Sequence, residues 1–247
     1  MLGKLKLVSQ IAAASLLAAL AAGPAQAGFW DDLLKSLGGN EELQTAINPA
    51  DIADGLRAAL AKGTRSAVLD LGRTDGFWAQ QQYQVPLPSP VAKAQKLLQQ
   101  VGAGDQVDEF HLALNRAAEQ AVPVAADIFS RAVSKMTIQD AQQILNGPED
   151  AATQFFRRTT ADQLQAQFLP LVSKATADNA LALQYRQMVS AAGPFASMLG
   201  EAADLDQFVT RQALDAVFDR VAVEEAKIRR DPAARTSEIL QQVFGKP

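Results

Sequence analysis

Apolar residues recur at three- and four-residue spacing along nearly the whole chain, and strict apolar/polar alternation bounded by turn signals is almost absent. A period of 3.6 residues buries one face of a helix, whereas a half-buried strand needs a period of two. Ala, Leu, Gln, Asp and Glu dominate the composition, and most of these favour helix. The pattern therefore dictates an all-α fold.

Glycine and proline punctuate the helices. Asn48 is placed to cap a helix with Pro49 at its first position, and Ile52, Leu56, Leu60, Ala67, Val68 and Leu71 form its stripe before Gly72. A second stripe runs from Val91 to Val101. A third, with Asp105 as its predicted cap, carries Val107, Phe110, Leu114, Ala117 and Ala121. Pro123 restarts the chain through Val124, Ile128, Ala132 and Met136. Thr137 with Asp140 and Thr160 with Gln163 have the spacing of capping boxes and predict two helix starts. Pro170 should kink or divide the long helical region that follows Thr160. Asp204 and Asp231-Pro232 open the last two helices. With no fixed-period repeat and no low-complexity linker, residues 28–247 read as a single domain of roughly eight or more helices.

Residues 1–27 are predicted to be a secretory signal peptide. Lys4 and Lys6 precede an apolar stretch from Leu7 to Ala22, and Ala25-Gln26-Ala27 supplies a small-x-small cleavage site. A membrane anchor is the rival reading, but the run sits at or below the roughly 17–25 residues that a spanning helix needs. Cleavage after Ala27 removes two lysines, leaves 220 residues and takes the net charge from −4 to −6. No cysteine is present to carry a lipid at the new N-terminus. The expected product is a periplasmic protein with no transmembrane segment. Its acidic balance disfavours nucleic acid and anionic lipid, which require clustered Lys and Arg.

The absence of cysteine excludes thiol nucleophiles, disulfides and thiolate metal sites. One histidine, His111, cannot form a histidine cluster, so no metal and no cofactor are expected. Asp108 stands one helical turn before it, but two ligands do not make a metal site. Asn115, Arg116 and Glu119 share the helix of Phe110 and Leu114 and are candidate buried polar residues; such groups join helices more often than they catalyse. From Glu224 to Asp231 the charges read as a solvated helix face, with Glu225 and Arg229 paired at i and i+4. Arg229, Arg230 and Arg235 could together hold an anion near the start of the last helix.

Residues 72–90 have no helical period, and prolines at 86, 88 and 90 impose extended geometry. This long loop carries Phe77, Trp78 and Tyr83. Those aromatics either line a binding surface or pin the loop to the core. They are the first candidate binding residues.

Thr74-Asp75-Gly76-Phe77, Pro86-Leu87-Pro88, Asp108-Glu109-Phe110 and Asn115-Arg116-Ala117-Ala118-Glu119 occur in that order. Met136-Thr137-Ile138, Asp140-Ala141, Ile144-Leu145 and Ala151-Ala152-Thr153 follow. Val209-Thr210, Glu224-Glu225, Ile228-Arg229 and Asp231-Pro232-Ala233-Ala234-Arg235-Thr236 complete the series. Together they resemble the bacterial exported protein family called domain of unknown function 4197, over about Ile47 to Phe244. The resemblance implies an exported helical domain and brings no assigned activity or catalytic residue. Where His111 stands, the family pattern is expected to have another residue, often Glu.

The leading expectation is a non-enzymatic periplasmic protein that presents its aromatic loop and a neighbouring groove to a small apolar ligand, a peptide or an envelope partner. The alternative is a carboxylate-dependent hydrolase acting on a periplasmic substrate such as glycan, with Glu119 and Glu109 as its pair. A third possibility, assembly through an exposed helix face, has no specific sign in the sequence.

Overall fold

Gly72 follows the last residue of the first described helix, where a Cβ would stand 2.8 Å from the Val68 carbonyl oxygen. The computed structural model describes residues 49–177, 179–192, 194 and 203–230. The leader, its cleavage site, Phe29 to Leu37, the Asn48 cap and everything from Asp231 onward, including Arg235, lie outside the described residues.

Among the described residues there are eight α-helices and no strand. They are α1 Pro49–Leu71, α2 Ser89–Gln100, α3 Gly104–Ala121, α4 Ala125–Lys135, α5 Ile138–Leu145, α6 Ala151–Thr176, α7 Ala180–Ala192 and α8 Leu205–Arg230. A 3-10 turn, Val122–Val124, joins α3 to α4 around Pro123. The all-α expectation holds.

Three predicted boundaries differ. Asp105 lies in the first turn of α3 rather than at its cap, and Ala103 precedes the helix without a side-chain cap. Thr160 does not start a helix: its hydroxyl donates to the Phe156 carbonyl 2.6 Å away, inside α6. That bond to the preceding turn satisfies a threonine without ending the helix. Pro170 does not divide α6, which runs on to Thr176. Pro170 and Ala166, whose carbonyl loses its usual donor, are both exposed, so water can take the place of the missing bond. The break comes instead after Thr176, where Asn179 accepts from the Ala182 N–H at 2.9 Å to open α7. Thr137 and Asp140 do form the predicted capping box at the start of α5.

Helix α3 lies at the centre, packed against α2, α6, α7 and α8, while α8 also crosses α6 and α1, and α1 reaches α4 and α5. Phe129 of α4 stands edge-on to Phe156 of α6 at 5.2 Å and to Phe218 of α8 at 6.2 Å, which ties three helices together. At the α1–α8 crossing, a Cβ on Gly63 would stand 3.3 Å from the Glu224 Cβ, so glycine permits the close approach. The described helices thus share one apolar core.

Candidate functional site

The loop between α1 and α2 is fixed by one face of α3. It turns at Asp75, whose φ of 64° is left-handed, and at Gly76, where a Cβ would collide with backbone carbonyls of Asp70 and Leu71. Aspartate tolerates that conformation better than most side chains. The turn sends two successive N–H groups, of Phe77 and Trp78, onto Glu119 Oε1 at 3.1 and 3.2 Å. Glu119 Oε2 accepts from Arg116 at 2.6 Å, and the same guanidinium donates to Asp75 at 2.6 Å. Both carboxylates hold the Arg116 guanidinium above its ordinary value, Glu119 more than Asp75. Glu119 is only 4% exposed. Buried carboxylates need such partners, and this one has three.

One and two turns toward the N-terminus, α3 holds the far side of the loop. Asn115 accepts the Val85 N–H at 2.8 Å and donates to the Val85 carbonyl at 3.2 Å, so its amide acts as a neighbouring strand would. His111 Nε2 lies 2.8 Å from the same carbonyl. A carbonyl only accepts, so Nε2 carries the proton. Phe77, Tyr83 and Val85 are buried, and the half-buried Trp78 packs edge-on to His111 at 5.1 Å. The loop aromatics are therefore engaged in holding the loop to the bundle.

A second anchor of the same design sits at the start of α6. Glu225 of α8 accepts the backbone N–H groups of Ala152 and Thr153 and the Thr153 hydroxyl, each at 2.9 Å. Arg229 donates to Glu225 at 2.9 and 3.1 Å and to the Ile144 carbonyl at 2.8 Å. The predicted i to i+4 pair is present, but Glu225 is 3% exposed and not on a solvated face. A carboxylate here satisfies free helix N–H groups and complements the helix dipole. Arg230 points elsewhere and pairs with Glu149 at the surface. Arg229 and Arg230 are thus not gathered into one anion pocket.

Nor does the structure gather the proposed hydrolytic pair. Glu109 is exposed near the start of α3, ten residues from Glu119, which places the two roughly 15 Å apart along the helix axis. Carboxylate pairs in glycosidases stand about 5–9.5 Å apart. No group of three or more metal-ligating side chains occurs among the described residues.

Open space lies on another side of the bundle, where α4, α5 and α6 meet. A hollow of about 350 Å³ has Ile128, Ala132 and Phe155 as its apolar floor, with Arg131, Lys135, Asp140 and Gln163 around it. A smaller hollow of about 190 Å³ shares Asp140 and Phe155 with the first and continues past Gln143, Gln154 and Arg158. Asp140 is already committed to the α5 cap: Thr137 hydrogen bonds, with help from the Arg158 charge, hold its carboxyl below the ordinary value. The side chains of Arg131 and Lys135 are exposed, one turn apart, and make no hydrogen bond or ion pair among the described residues. The groove therefore carries an excess of positive charge on a chain that is acidic as a whole.

A family model described as protein of unknown function (DUF4197) matches residues 46–245, most of the chain. The chain belongs to that family. No curated protein and no solved structure matches it. Several segments that carry the resemblance meet at the two anchors: Asp75 to Phe77 with Arg116 and Glu119, and Ala152-Thr153 with Glu225 and Arg229.

Sequence reasoning missed the groove residues Arg131, Lys135, Phe155 and Arg158. The available signal was weak: two cations at i and i+4 on a helix whose apolar stripe includes Ile128 and Ala132. Their meeting with α5 and α6 is a property of the tertiary fold.

Proposed function

We propose that this chain is an exported, non-enzymatic binding protein whose ligand carries an anionic group and seats in the groove between α4, α5 and α6. One observation carries the reading: Arg131 and Lys135 have no hydrogen-bond or ion-pair partner among the described residues and stand over an apolar floor of Ile128, Ala132 and Phe155. Binding sites commonly pair an apolar bed with a few polar groups that fix orientation. Of the two carboxylates suggested for hydrolysis, Glu119 has its oxygens occupied by backbone N–H groups and Arg116, and Glu109 stands apart from it in an exposed position. Export rests on the basic, apolar and small-x-small sequence of residues 1–27, with cleavage after Ala27 and no lipid attachment. The setting is then the periplasm.

Native mass spectrometry of protein released gently from the periplasm tests both halves of this reading. The expected mass begins at Gly28 and includes a carried ligand that Arg131→Glu with Lys135→Glu sheds. Retention of the leader would overturn export as stated, and an adduct unaffected by the double substitution would overturn the groove.

A further inference from the structure

The proposed binding groove is built for a particular class of anionic ligand, and its shape separates three candidates. A free phosphate or small carboxylate needs several donors converging on one point. Here Arg131 and Lys135 stand on α4 by the first hollow, while Arg158 lies by the second, with Phe155 common to both. An acyl chain needs a deep apolar slot. These hollows instead mix apolar and polar walls and include the amides of Gln143, Gln154 and Gln163.

Resting on the groove reading above, we infer that the ligand is an acidic peptide segment, with carboxylates answering Arg131, Lys135 and Arg158 and an apolar side chain on the Phe155 floor. Side-chain amides both donate and accept, as a peptide backbone does, so Gln143 and Gln163 at the groove match a polypeptide better than a phosphate or lipid tail. Neither of these two amide side chains has a hydrogen bond among the described residues, and both glutamines are exposed. Charge complementarity supplies the remaining argument. The three cations face a single carboxylate, Asp140, whose oxygen Oδ2 already accepts from Thr137. A peptide lying along the two hollows would meet positive charge at successive points, which suits acidic residues separated along a chain rather than one dense anion. Partners with a matching potential are favoured in encounter and register, and the attraction weakens as salt rises.

The test uses a fluorescein-labelled decapeptide of alternating glutamate and leucine, with the same peptide carrying glutamine in place of glutamate as its control. Anisotropy is measured on the mature full-length protein, on Arg131→Glu with Lys135→Glu, and separately on the milder Arg158→Gln, each checked for unchanged helical circular dichroism. The acidic peptide should bind saturably and more weakly as sodium chloride rises. The double substitution should weaken it about tenfold or more, equivalent to about 1.4 kcal/mol, with a smaller loss for Arg158→Gln. Equal binding of the two peptides, or binding untouched by all three substitutions, overturns the inference. So does a groove that takes inorganic phosphate or phosphatidylglycerol vesicles in an Arg131- and Lys135-dependent way while leaving the peptide free, although the anion-binding groove would then stand. No anion of any kind bound there would remove both readings.

Discussion

The loop at residues 72–88 and the groove between α4, α5 and α6 differ in how their polar groups are used. In the loop, Glu119, Arg116, Asn115 and His111 each hold backbone or a turn residue, and Phe77 and Tyr83 are buried. In the groove, the side chains of Arg131, Lys135 and Gln163 surround an apolar floor without holding anything among the described residues. The loop is the richer region to the eye, with its aromatics, prolines and charged helix face, yet those features are what fastening an irregular segment requires. Buried backbone groups must be paired, and a loop without helix or sheet must find side chains to pair them. Charge that has no partner among the described residues and stands over an apolar bed has no such structural duty.

Substitution should divide the molecule along this line. The largest loss is expected from Glu225→Ala, which strips the α6 start of two acceptors and leaves Arg229 partly buried without that carboxylate. Urea denaturation should show about 3–5 kcal/mol of destabilisation. Glu119→Ala should cost less, about 2–3 kcal/mol, because Arg116 keeps Asp75 and is 31% exposed. Limited proteolysis should then cut within residues 73–88 before the helices are attacked. A uniform loss of resistance would mean that the loop and bundle unfold as one unit. Asn115→Ala, which removes the amide that pairs both Val85 backbone groups, should cost about 2 kcal/mol with the same local cleavage.

Thr137→Ala removes the α5 cap beside the groove and should cost about 1 kcal/mol. The Asp140 carboxyl is held below its ordinary value mainly by the Thr137 hydroxyl. Its stabilisation is therefore full above the unfolded value near pH 4 and is lost as pH falls through the lower folded value. Thr137→Ala should shrink that acid loss, as a pH series of denaturation midpoints would show. At the small end, Arg131→Glu with Lys135→Glu should change stability by less than about 0.5 kcal/mol while weakening capture about tenfold or more. A large stability loss there would mean that these cations do structural work after all.

The helices were legible because their signals are local. Periodic stripes, Gly72, the Thr137–Asp140 pair and Asp204 each act within a turn, and all appear where local chemistry puts them. Thr160 and Pro170 misled because the same residues are tolerated mid-helix when the hydroxyl bonds backward or the freed carbonyl faces water. Of the polar clusters, Asn115, Arg116 and Glu119 stood out because they interrupt an apolar stripe. Glu225 did not, since Glu225 and Arg229 have the spacing of an ordinary surface pair, and only the approach of Ala152 and Thr153 from 73 and 72 residues away buries it. The groove was invisible for a related reason: its walls come from three helices, and what distinguishes Arg131 and Lys135 is the lack of a partner among the described residues.

Hydrogen–deuterium exchange of the mature protein with and without its bound ligand tests the central claim most directly. Binding should slow exchange in α4, α5 and the first half of α6, and leave residues 73–88 unchanged. Protection that appears in residues 73–88 instead would return the binding surface to the aromatic loop and contradict the assignment of Glu119, Asn115 and His111 as its anchors.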